Sequence, residues 1–131
     1  MSLPITLTLA AAAALINLWL MIRCGQARTS EKISVGDGGS EFLIRRMRAH
    51  SNFIESAPIV LILIGALEAA GGTSNWLWAV GIAFTIGRLA HGLGMDGGVL
   101  GKGRMVGTLL TFLTLIILAV MALVRVYSNL G

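Results

Sequence analysis

Charge is scarce in this chain. Only 12% of its 131 residues are Asp, Glu, Lys or Arg, while 56% are hydrophobic. A soluble domain carries roughly twice that charged fraction, so composition makes lipid the solvent. Acid is scarcer than base: six Asp and Glu stand against ten Lys and Arg. In a soluble chain that basicity could point to nucleic acid. Here the placement of the charges explains it, and no nucleic-acid partner is expected. The single cysteine, Cys24, excludes an intrachain disulfide and a cysteine-based metal cluster. No HExxH and no cluster of His or Cys is present, so no metal site is expected. The turn Gly36-Asp37-Gly38-Gly39 lacks the spacing and the lysine of a P-loop, which argues against a nucleotide site. The length leaves room for one domain, residues 1–131, and for no separate soluble one.

Long apolar runs are what the chain has instead. Met1–Ile22 carries no charged side chain, about the ~20 residues a helix needs to cross the bilayer core. A cleaved signal peptide would start with positive charge, whereas Arg23 follows this run, so a retained first span is expected. The second helix should start near Ser40 and Glu41 and be kinked by Pro58. Trp76 and Trp78 mark the interfacial start of the third, and Met105–Val124 is again uncharged. The expected fold is an all-α membrane protein, a bundle of four transmembrane helices at about 3–22, 40–70, 76–95 and 105–126.

The basic residues fix an expected orientation. Nine of the ten Lys and Arg fall in or beside the first and third connections, and only Arg125 lies on the other side. Positive charge stays in the cytoplasm, so both long loops are expected there in a multi-pass protein. The short loops fit a bacterial inner membrane.

One stretch stands out, residues 45–68. Arg45, Arg48, Asn52 and Glu55 recur at spacings of three, four and three, which gives one polar stripe on a helix. Glu55 lies one residue before the apolar segment, where an unpaired carboxylate is costly. Either the stripe is a functional site or Arg48 and Glu55 form a structural ion-pair network between helices. Arg88 and His91 are three apart on the third helix, and Arg104 precedes the fourth. The expected topology brings all of them to one membrane face. Arginines suit bidentate recognition of carboxylate or phosphate, and a carboxylate among them suits an ammonium. Should the ligand also carry a thiol, a nearby guanidinium lowers its pKa from about 8.5 and supplies a nucleophile.

RxRAHxNFxE followed by xxP, then GRLAH, then an arginine opening the last helix, resembles the MAPEG family, membrane-associated proteins in eicosanoid and glutathione metabolism. The resemblance spans the chain, including SVGDGG in the first connection. It implies a homotrimer of four-helix protomers in the bilayer, with glutathione as co-substrate held between neighbouring subunits. It implies that Arg28, Arg48, His50, Asn52, Glu55, Arg88, His91 and Arg104 contact glutathione, and that Arg104 stabilises the thiolate as the catalytic residue. The implied activity is a glutathione transferase or peroxidase acting on lipophilic small molecules. Many members carry tyrosine after the motif glutamate; this chain has Ser56, and its one tyrosine is Tyr127. Eicosanoid specificity is therefore not carried over.

Two other functions share the four-helix outline. A small multidrug-type transporter would need a carboxylate deep in the first span, and Met1–Ile22 has none. A non-catalytic membrane subunit of the same fold would keep the assembly without turnover.

Overall fold

The computed structural model describes residues 1–129, folded as four helices with a single 3-10 turn. Helix α1 is Pro4–Glu31, α2 is Glu41–Gly71, α3 is Asn75–Gly94 and α4 is Lys102–Ser128; the 3-10 turn is Gly98–Leu100. All four helices are long and apolar enough to cross a membrane. The expected four-helix membrane fold is the one found.

Two helices outrun their apolar runs. α1 continues well past residue 22, so Arg23, Cys24 and Arg28 are helical, and it closes at Lys32 in the left-handed conformation. α4 begins at Lys102, which puts Arg104 in its first turn. Hydropathy reports where lipid ends; backbone hydrogen bonding continues into the aqueous layer with polar helix formers. α2 opens as expected, with the Ser40 hydroxyl accepting from Leu43 N at 3.2 Å. It passes through Pro58 as one helix.

The core lies along the bundle axis. Ile5, Leu9, Ile16 and Leu20 of α1 meet Phe53, Val60 and Ile64 of α2, together with Leu77, Phe84 and Leu118. The outward faces stay apolar, with Leu15, Ile62, Ile116 and Leu123 all exposed. In water such surface would be a liability; in lipid it is the expected solvent-facing side.

Helices α3 and α4 approach backbone to backbone. A β-carbon on Gly107 would stand 2.3 Å from Gly87 O, and one on Gly94 only 2.1 Å from Arg104 N. Gly103 faces Ala90 O in the same way, at 2.5 Å. Small residues allow this in membranes, where close van der Waals contact replaces hydrophobic driving force. The seam carries Arg104 directly beside the last turns of α3.

At the opposite end of the bundle, α1 starts without a side-chain cap of its own. Glu68 of α2 supplies it. Its carboxylate accepts from Ile5 N at 2.9 Å, Thr6 N at 2.8 Å, Thr6 Oγ1 at 2.6 Å and Thr73 Oγ1 at 3.2 Å. A carboxylate on the free N–H groups of a first turn also meets the positive end of the helix dipole.

Candidate functional site

A cavity of about 340 Å³ opens between α2, α3 and α4. Arg48 and Asn52 line it from α2, His91 and Met95 from the end of α3, and Arg104 and Thr108 from α4. Its volume lies in the usual range for small-molecule sites, roughly 300–1,000 Å³. Two guanidinium groups face it and no carboxylate does. An anion is the natural counterpart, since guanidinium forks match carboxylate geometry.

Each wall residue is placed by its helix. Arg48 and Asn52 are four apart, one above the other on α2. His91 is 5% exposed, and its ring makes no hydrogen bond among the described residues. Its nitrogens are not among the buried unpaired atoms, so they remain accessible. Arg104 extends from the glycine seam, and Thr108 Oγ1 closes back onto Arg104 O at 2.9 Å.

Arg88 lies behind this wall, not in it. It is 2% exposed. Its Nη1 donates to Asn52 Oδ1 at 2.5 Å and its Nη2 to Gly107 O at 3.1 Å, so one side chain ties α3 to both α2 and α4. Its guanidinium lies 6.0 Å from the centre of the Phe84 ring. Nε has no partner, and Arg88 forms no ion pair among the described residues.

Of the eight residues expected at a common site, the protomer gathers Arg48, Asn52, His91 and Arg104 at one cavity, with Arg88 adjoining. Three lie elsewhere. His50 Nε2 is 2.7 Å from Asn17 Oδ1, facing α1. Arg28 donates to Gly36 O at 2.7 Å and lines a shallow basic depression with Lys32. Glu55 is exposed on the outer face of α2 and makes no hydrogen bond or ion pair among the described residues. The stripe divides along the helix axis. Arg48 and Glu55 are seven apart and point nearly the same way, but Glu55 lies about two turns, ~10 Å, further along α2 than Arg48, beyond the level of the cavity.

A charge cluster beside the cavity was not anticipated. Asp96, just after α3, accepts from Arg46 Nε at 2.9 Å and Arg46 Nη2 at 3.0 Å, and its Oδ2 also takes Arg23 Nη2. Arg23 is buried, donates to Gly92 O at 2.6 Å and stacks 4.8 Å from the Trp19 ring centre. The latch joins α1, α2 and the connection between α3 and α4, residues 95–101. The available signal was slight: Asp96 is the one acid in a connection otherwise made basic by Lys102 and Arg104. Glu68 gave a better one, an acid ending an apolar run opposite an uncapped helix.

The profile of the MAPEG family matches residues 6–124. The chain belongs to the MAPEG family. It is thus a membrane protein with four helices apolar enough to span a bilayer. It is also similar to the inner membrane protein YecN from two Escherichia coli strains, each 33% identical over 64 residues. That is 49% of this chain and 49% of each relative, so the match spans about half the length of these curated relatives.

Proposed function

We propose that this MAPEG protein is an integral membrane glutathione transferase or peroxidase acting on lipophilic electrophiles. One observation carries the reading: two guanidiniums and a buried imidazole converge on a cavity that contains no carboxylate. Arg48 and the Asn52 amide bind the carboxylate end of the tripeptide. Arg104 sits beside its sulfur. The thiol proton passes to water, and the guanidinium stabilises the thiolate that remains. The thiolate attacks an electrophilic carbon; a C–S bond forms and the leaving group departs with its electron pair. With a hydroperoxide, the thiolate takes the terminal oxygen, the O–O bond breaks and an alcohol leaves. A second glutathione then reduces the sulfenic acid to the disulfide and water.

The same proposal places the site at the cytoplasmic face of an inner membrane. The charge bias of the loops and the similarity to the inner membrane protein YecN support this placement. It places the protein in a homotrimer. Glu55 and Arg28, which lie outside the protomer's cavity, reach glutathione there from the partner subunits' interface. An exposed carboxylate at membrane depth needs such a partner.

The test is glutathione titration of the detergent-solubilised protein by calorimetry, together with conjugation of a hydrophobic haloarene. Saturable binding and turnover are expected. Absence of binding at millimolar glutathione removes the proposal.

A further inference from the structure

We infer that Arg88 is a positioning residue that fixes the sense of the Asn52 amide, so that Asn52 meets its ligand only as a hydrogen-bond donor. An arginine side chain has five N–H donors and no acceptor. The group 2.5 Å from Arg88 Nη1 is therefore the amide oxygen of Asn52, and the usual ambiguity of an amide's two ends does not arise. That leaves Nδ2. It has no hydrogen-bond partner among the described residues, and it is not among the buried unpaired atoms, so it is accessible. Asn52 lines the cavity and Arg88 does not. The accessible end of the amide is the end toward the cavity.

The orientation is held from both sides. Arg88 cannot swing away easily, because Nη2 is bound to Gly107 O and the side chain is buried. Gly107 in turn is wedged against Gly87 and His91 in the α3–α4 seam. A donor fixed in this way selects an acceptor: a carboxylate or carbonyl oxygen on the ligand, never an ammonium. Beside Arg48 it forms a two-sided grip on one anionic group. This inference rests on the proposed function in taking that group to be a carboxylate of glutathione, and it reassigns Arg88 from direct contact to orientation.

Asn52→Asp is the decisive variant. A carboxylate is at least as good a partner for Arg88 but offers the ligand no donor. The KM for glutathione should rise about tenfold or more, the worth of one hydrogen bond to a charged group. Turnover at saturation should be nearly unchanged, and the thermal midpoint no lower than wild type. A wild-type KM in Asn52→Asp would show that Asn52 serves only as an acceptor for Arg88, and overturns the inference. Arg88→Met frees the amide to turn and should raise KM severalfold, whereas Arg88→Lys, which keeps a donor, should restore most of it. A fall in turnover at unchanged KM in either would place Arg88 on the reacting atoms, and also overturns it. Should wild type bind no glutathione, the proposed function falls but the orientation is still decided by nuclear magnetic resonance of the isotope-labelled protein. Asn52 side-chain amide protons that exchange freely with water, and shift in Arg88→Lys, support it; protons protected from exchange defeat it.

Discussion

The two ends of the bundle hold charge in different settings. At one end Glu68, 1% exposed, is surrounded by four donors from the start of α1 and from Thr73. At the other, Arg88 is 2% exposed with a free Nε, and Arg48 and Arg104 face a cavity with no acid in it. A charge whose hydrogen bonds are all met inside the protomer holds the fold together. Arg48 and Arg104 are exposed, and two guanidiniums converging on a cavity without an acid are an arrangement suited to an anionic ligand.

The contrast can be broken at either end. Glu68→Ala strands the first N–H groups of α1 and should cost about 3 kcal/mol of stability. Thermal unfolding in detergent reads the loss, and the turnover of the protein that remains folded should be unchanged. Lost turnover at intact stability would mean that the two ends are not separate. Arg104→Ala should do the reverse. Conjugation should fall about a hundredfold, as when one donor to a developing anion is removed, while the thermal midpoint and glutathione binding barely move. Asp96→Asn tests the region between: it strips the countercharge from buried Arg23 and should cost about 1–2 kcal/mol. Because the latch also orients the loop to Arg104, glutathione affinity should weaken in parallel, which calorimetry reads. The smallest effect is expected of Glu55→Gln, about 1 kcal/mol in glutathione binding through its ammonium. That change should vanish if the protein is held monomeric, because within one protomer Glu55 stands outside the cavity.

The fold was legible because lipid imposes a coarse code. Uncharged runs of span length, punctuated by glycine turns and interfacial tryptophans, specify helices with little ambiguity. Helix ends were less legible: residues 23–31 are polar yet helical, since leaving the hydrocarbon does not end a helix. At the site, spacing showed which residues share a helix face but not how far along the helix the cavity reaches. Arg48 and Asn52 line it, while Glu55, about two turns beyond Arg48 on nearly the same face, does not. The Arg23–Asp96–Arg46 latch was illegible for another reason. Its members are separated by long intervals, and only packing of three segments brings them together. Arg45, which belongs to the stripe, turns back to Glu41 at 2.5 Å on its own helix.

The glycine seam has a mechanical consequence. With Gly94, Gly103 and Gly107 pressed against the facing main chain, no side chains are left there to slide past one another. The last two helices therefore swing as one stiff plank. Any widening of the cavity must come from parting that plank from α2, a joint tied by Arg88 on Asn52, by Arg46 on Asp96 and, at the far end, by Arg125 on Ala70 O.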